Sequence, residues 1–386
     1  MPLIAAGAVV ADRQVYRPGW VHTAGERILG CGPGTPPRPA DRELLEAVVV
    51  PGFVDMHVHG GGGDSYTDGD AAAIVRAAAF HRRHGTTTTV ASLVSASPAN
   101  LLAAVRVLAE ATRAGTVAGI HLEGPWLSAR RCGAHDPKQL RDPDPAEIDR
   151  VLAAADGAIR MVTLAPERPG SRDAIRRCTD AGVVVAVGHT EADFQQTRSA
   201  IALGATVGTH LFNAMPGLHH REPGPALALL RDPRVTVELI ADGVHVHPAM
   251  LDAVIEFAGP ARVALVSDAT AAAGRGDGRF RLGTVDIDVA GGVARVRGTS
   301  TIAGSAATMD RLFRSVAGRG PDPDTGLAAA VQMTSATPAA VLGFDDVGAL
   351  RRGLRANLVV LDADLTVSAV MADGEWVDQS LARPNK

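Results

Sequence analysis

Between Val48 and Ser267, eight apolar runs of five to eight residues alternate with amphipathic, alanine-rich stretches. The runs are Val48–Asp55, Thr86–Ala91, Val117–Leu122, Ile159–Leu164, Val183–Gly188, Thr206–His210, Val235–Ile240 and Arg262–Ser267. Short apolar runs bounded by turn residues and separated by helical periodicity are the pattern of βα units. Eight in succession predict an α/β chain whose parallel strands close into a (β/α)8 TIM barrel rather than an open sheet. The helix limits agree: Asp70 precedes a periodic run that ends at Gly85, and Pro98 stands in the first turn of one that ends at Gly115. After the eighth run, Phe280–Val296 reads as an inserted hairpin turning at Gly291-Gly292. Both chain ends break the alternation. Leu3–Val10, Ala356–Asp362 and Val367–Met371 are strand-like and are bounded by turns such as Arg17-Pro18-Gly19 and Ala372-Asp373-Gly374. The expected organisation is a small β-sandwich domain formed by both termini, residues 1–52 and 351–386, and a barrel domain over residues 53–350.

Composition serves to exclude. The formal net charge is -4 and the basic residues are scattered, so neither nucleic acid nor a membrane is an expected partner. No apolar run approaches the ~20 residues of a membrane span. Met1–Val10 lacks a basic leading segment and reads as a strand rather than a signal peptide. Cys31, Cys132 and Cys178 are far apart and form no C-x-x-C, which speaks against a disulfide framework or a cysteine-rich zinc site and fits a cytoplasmic protein. Walker, G-x-G-x-x-G and G-x-S-x-G motifs are all missing.

Barrel enzymes carry their chemistry at the C-terminal ends of the strands. There the sequence has Asp55-Met56-His57-Val58-His59, His121-Leu122-Glu123-Gly124-Pro125, His189, His210 and Asp268. His57 and His59 are two apart, a spacing that points both side chains to one side of a strand. Two neutral imidazoles facing one point suit a borderline-soft divalent metal. Glu123 on the same rim reads as a further ligand, one able to bridge two ions. His121 is expected to turn away by strand alternation and to pack inside or stand behind the ligands. Asp268, following the apolar eighth run, is the candidate general base and acid, since a carboxylate there can take a proton from water and return it to a leaving nitrogen.

These motifs resemble the amidohydrolase superfamily and, within it, the N-acetylglucosamine-6-phosphate deacetylase family, over essentially the whole chain. Pro51-Gly52-Phe53-Val54-Asp55-Met56-His57-Val58-His59-Gly60 resembles the superfamily's first-strand motif. The deacetylase branch is marked by His121-Leu122-Glu123-Gly124-Pro125-Trp126, Gly188-His189-Thr190, Thr209-His210-Leu211-Phe212-Asn213-Ala214-Met215, Arg221-Glu222-Pro223-Gly224, Ala241-Asp242-Gly243-Val244-His245, Ser267-Asp268-Ala269-Thr270 and Thr301-Ile302-Ala303-Gly304-Ser305. The resemblance implies one or two divalent metals per subunit, with zinc foremost and iron, manganese or cobalt as alternatives. Glu123, His189 and His210 would hold the main ion; His57 and His59, with Glu123 bridging, would hold a second. Superfamily branches that bridge their metals through a lysine on strand four are disfavoured, because the fourth run ends at Leu164-Ala165 and Lys138 lies in a loop.

The resemblance also implies the substrate shell. His135 would meet the acetyl carbonyl and stabilise its oxyanion, His245 would contact the sugar, and the backbone of Asn213 and Ala214 would hold the phosphate. Arg221 would reach the phosphate across a homodimer interface. Cys132, His219 and His220 receive no role. The implied reaction hydrolyses the N-acetyl amide of N-acetyl-D-glucosamine 6-phosphate to glucosamine 6-phosphate and acetate, by metal-activated hydroxide with Asp268 as base and acid. A GalNAc-6-phosphate deacetylase, a nucleobase deaminase and a catalytically dead binding barrel are the competing readings.

Overall fold

The computed structural model describes residues 2–378. Met1 and residues 379–386, which belong to the expected terminal domain, lie outside the described residues. Two compact units emerge. One is drawn from the described parts of Met1–Asp55, Ala79–Thr88 and Thr308–Lys386, the other from Met56–Ala78 and Thr89–Ala307.

Both chain ends contribute to one eight-stranded sheet. Arg42–Pro51 lies between Leu3–Ala11, which it pairs in parallel, and Leu358–Leu361, which it pairs antiparallel. Ile4, Val9, Val49, Leu358, Val360 and Met371 form part of a buried apolar cluster on this sheet.

The second eight-stranded sheet is the barrel. Its strands are Phe53–Val58, Thr86–Leu93, Gly119–Glu123, Ile159–Leu164, Val184–Val187, Ala205–Gly208, Thr236–Leu239 and Val263–Leu265, neighbours in chain order. Every register recorded between the second and the eighth strand is parallel. The last gap is bridged just past the eighth strand, where the Asp268 amide donates to the His57 carbonyl (2.9 Å) and the His59 amide to the Ala269 carbonyl (2.8 Å). Several helices begin at side-chain caps: Ser97 accepts from the Asn100 amide, Asp144 from the Ala146 amide, and Asp193 with Gln196 forms a reciprocal capping box.

Two expectations are corrected. The run Val48–Asp55 is not one strand: Arg42–Pro51 belongs to the terminal sheet, and the barrel strand starts at Phe53. The chain changes sheet at Gly52, where a Cβ would run into the Thr87 side chain. Both halves are buried, so apolarity alone does not separate them; the pair Pro51-Gly52 is the local mark of the break. The inserted hairpin is a three-stranded meander, Gly278–Leu282, Val285–Ala290 and Val293–Val296. Its additional turn is the pair Gly283-Thr284, with Gly283 at φ +57°, a weaker sequence signal than Asn-Gly or Asp-Gly. Leu282, Ile287, Val289 and Ala294 pack with Val94, Ala272 and Ala303, which anchors the meander to the loops after the second and eighth barrel strands.

Candidate active site

The strand ends bring four imidazoles and two carboxylates together in a buried group. His57, inside the first strand, and His59, just beyond it, turn their Nε2 atoms to within 3.2 Å of each other. Glu123 closes the third strand between them and the other two rings. Its Oε1 lies 3.1 Å from His189 Nε2 and 3.0 Å from His210 Nε2, while its Oε2 lies 3.1 Å from His59 Nε2. His189 and His210 face each other at 3.0 Å. Asp268 Oδ1 stands 3.2 Å from His59 Nε2 and 3.6 Å from His57 Nε2.

Fixed donors and acceptors determine how some of these rings present themselves. His189 Nδ1 faces the Arg131 carbonyl at 2.7 Å. A carbonyl only accepts, so Nδ1 carries a hydrogen and Nε2 has the lone pair available in the neutral ring. His57 Nδ1 donates to the buried Glu238 carboxylate at 3.0 Å, with the same consequence. His135 is the reverse case. Its Nδ1 accepts from the Ser95 amide (3.2 Å) and lies 2.9 Å from Ser95 Oγ, so the hydrogen of the neutral ring sits on Nε2, 3.2 Å from Glu123 Oε2.

Two overlapping groups, His57–His59–Glu123 and Glu123–His189–His210, could each hold a metal ion. At a zinc–nitrogen distance of 2.0–2.1 Å, tetrahedral ligand atoms stand about 3.3 Å apart. The spacings of 3.0–3.4 Å around Glu123 are of that size. Unshared ring nitrogens facing a carboxylate fit a divalent cation and are hard to explain as a merely structural cluster.

The electrostatics follow from burial and the carboxylates. Burial lowers the pKa of His59, but hydrogen bonds to Asp268 and Glu123 outweigh it and hold the ring at about 9. His57 is likewise raised well above the usual range, by Glu123 and Glu238 against burial. For His135 burial wins, and its pKa falls to about 4. Burial would raise the Asp268 carboxyl, yet the His59 hydrogen bond and the His57 and His59 charges bring it to about 2.

The rim is also conformationally strained. His189 (φ +46°), His210 (+25°), Phe212 (+76°), Ala214 (+52°) and Asp268 (+46°) are non-glycine residues with left-handed backbone. Such strain costs on the order of 1–3 kcal/mol per residue and collects where function demands a particular aim. Beside the rim lies a pocket of about 470 Å³, lined among others by His135, Asn213, Ala214, His245 and Asp268. His245 Nδ1 donates to Asp242 Oδ2 at 2.8 Å, which fixes the ring beside that space.

A model of the amidohydrolase family matches residues 48–377. The chain belongs to the amidohydrolase family. The N-acetylgalactosamine-6-phosphate deacetylase of Escherichia coli O157:H7 is 37% identical to it over 87% of this chain and 88% of its own length. The N-acetylglucosamine-6-phosphate deacetylase of Danio rerio is 38% identical over 86% of this chain and 84% of its own. A structure of a mutant N-acetyl-D-glucosamine-6-phosphate deacetylase from Mycobacterium smegmatis, in complex with N-acetyl-D-glucosamine-6-phosphate, superimposes with a TM-score of 0.96 at 55% identity, over 97% of this chain and 99% of the other.

Within this amidohydrolase, His57, His59, Glu123, His189, His210, His135 and Asp268 meet as one group, and Asn213, Ala214 and His245 line the adjoining pocket. Arg221 does not line it; it is exposed, with its guanidinium 2.8 Å from His220 Nε2. Lys138 does not reach the group, being exposed on a short turn; Lys386 lies outside the described residues. His121 corrects an expectation. It is two residues from Glu123, so alternation puts both on the same, inner face. Its ring lies edge-on to His57 at 4.5 Å between centroids and bonds to Ser92 Oγ and Thr163 Oγ1. The residues missed in the sequence are Glu238, Ser95 and Asp242. Glu238 left a signal as a lone carboxylate inside the apolar seventh run, and Asp242 stood in the Ala241–His245 motif without a role.

Proposed function

We infer that the chain hydrolyses the N-acetyl amide of N-acetyl-D-glucosamine 6-phosphate to glucosamine 6-phosphate and acetate. The observation that carries this reading is the buried His57–His59–Glu123–His189–His210 group beside Asp268, at a pocket sized for a small ligand, in a chain so similar to a deacetylase that binds this sugar phosphate. Glu123, His189 and His210 would hold one divalent ion, and His57 and His59, sharing Glu123, a second; zinc suits the donor set best. Bound there, a divalent cation acts as a Lewis acid and lowers the pKa of water from 15.7 toward about 7.

The protein's own groups supply the rest. Asp268 is ionised at neutral pH and takes a proton from the attacking water. The neutral His135 ring, whose Nε2 hydrogen faces Glu123 Oε2 in this structure, would turn that hydrogen to the acetyl oxygen as charge builds up there. Asp268 then returns the proton to the amine nitrogen while the C–N bond breaks, leaving acetate. His245, held by Asp242, orients the sugar, and the strained turn at Asn213 and Ala214 receives the phosphate. Arg221 completes the phosphate site of a partner copy in a homodimer. Support for this comes from its exposed segment, residues 217–222, and from its absence from its own pocket.

Acetate release from N-acetylglucosamine 6-phosphate tests the reading, with unphosphorylated N-acetylglucosamine as control and metal content measured on the same sample. The E. coli relative makes N-acetylgalactosamine 6-phosphate a second reading, so that epimer belongs in the panel. Turnover of neither sugar phosphate by metal-loaded protein would refute deacetylation.

A further inference from the structure

We propose that Glu238 makes the His57–His59 side of the site a cation position, by holding His57 with its Nε2 lone pair turned to the centre and by supplying negative charge behind it. The proposal rests on the two-ion reading above.

Glu238 lies in the middle of Thr236–Leu239, the seventh barrel strand, and is fully buried. An ionised carboxylate in such a place is costly unless paired. Among the described residues its one ion-pair partner is His57, through Nδ1 at 3.0 Å. The same Oε2 accepts from the His210 amide at 3.0 Å, and Oε1 has no hydrogen-bond partner among the described residues. No arginine or lysine among the described residues forms an ion pair with it, so its charge is directed at the imidazole cluster alone.

The four rings are not held alike. His189 is oriented by a neutral carbonyl, and His59 Nδ1 and His210 Nδ1 have no hydrogen-bond partner among the described residues. His57 is the ring whose far nitrogen rests on a carboxylate. A carboxylate behind a histidine fixes its tautomer and raises its basicity as a ligand, and losing one typically costs about 10–100-fold in metal affinity. On the other side of Glu123, the Glu238 carboxylate accepts from the backbone amide of His210 and, among the described residues, forms no ion pair with the His189 or His210 ring. Its charge therefore favours the His57–His59 position over the Glu123–His189–His210 position.

The test is titration of metal-free protein with zinc by calorimetry, with bound metal counted by elemental analysis. The wild type should show two events per chain, and His59→Ala should abolish one of them. Glu238→Gln keeps an oxygen that can accept from His57 Nδ1 and the His210 amide, and removes the charge. It should weaken the event lost in His59→Ala by about 10–100-fold and leave the other within about threefold. Glu238→Asp, with its charge one methylene further back, should recover part of the loss; it decides on the same criteria if the Gln variant is unfolded by circular dichroism. Two events of wild-type affinity in the variants, or weakening of the other event instead, would overturn the proposal. A wild type that takes up a single ion at every zinc concentration would overturn the two-ion reading and this proposal with it.

Discussion

Asp268→Asn is the substitution that most directly tests the chemistry. The residue has φ +46°, a left-handed conformation that costs most side chains about 1–2 kcal/mol and that asparagine tolerates as aspartate does. Its amide donates to the His57 carbonyl and its carbonyl accepts from the Ser305 amide (2.7 Å), bonds that the substitution leaves intact. Asparagine therefore preserves the turn, the barrel closure and the side-chain volume. What disappears is the charged oxygen 3.2 Å from His59 Nε2 and the ability to carry a proton. General acid–base transfer contributes about 10²–10⁴-fold, which is about 2.7–5.4 kcal/mol of barrier. The loss should fall on kcat, with KM for the sugar phosphate changed far less, because Asp268 is ascribed no contact to sugar or phosphate. The assay is acetate release under saturating substrate, with metal content confirmed on each preparation. A variant that keeps its metal and also keeps near wild-type kcat would refute the role assigned to Asp268. If kcat falls only in proportion to lost metal, the residue is a ligand rather than a proton carrier.

Arg221→Ala should raise KM for the phosphorylated sugar about 10- to 150-fold, equivalent to about 1.5–3 kcal/mol for a charge-assisted contact, and hardly affect unphosphorylated N-acetylglucosamine. Mixing Arg221→Ala with Asp268→Asn subunits should restore some activity, and no recovery after verified subunit exchange would refute donation across an interface. Chelation should abolish turnover, and His189→Ala should lose more activity and bound metal than His57→Ala; full activity in a metal-free preparation would refute both. Since His59 in the metal-free chain holds its proton up to about pH 9, a cation must displace that proton below it. Zinc affinity at the His57–His59 position should therefore climb about tenfold per pH unit per displaced proton as pH rises toward 9. The metal-free fold has the opposite sign: its raised His59 pKa stabilises it fully below about 6.5, and that contribution is lost as pH rises through about 9, visible in thermal melts. Gly304→Ala places a Cβ 2.7 Å from Thr270 Cγ2 and 2.8 Å from the Asp268 carbonyl, at φ +57°. It should lower both thermal stability and kcat, and unchanged values of both would contradict the packing argument.

The sequence alone was enough for the barrel, because its evidence is local. Apolar runs and helical periodicity recur within each βα unit, and the fourth run, Ile159–Leu164, coincides with the strand residue for residue. The ligand-type residues were legible for the same reason: a period of two aims His57 and His59 together, and barrel enzymes put such residues at strand ends. Continuous burial let Val48–Asp55 read as one strand, although Pro51-Gly52 stands where the chain changes sheet, since an apolar run does not record which sheet it joins. The roles of individual nitrogens needed the tertiary structure. His57 and Glu238 are 181 residues apart, and His135 and the Ser95 amide 40 apart. Which ring nitrogen carries the hydrogen depends on the partner at its other edge. Closure of the barrel brings those partners together, and nothing in the residues adjoining His57 or His135 encodes them.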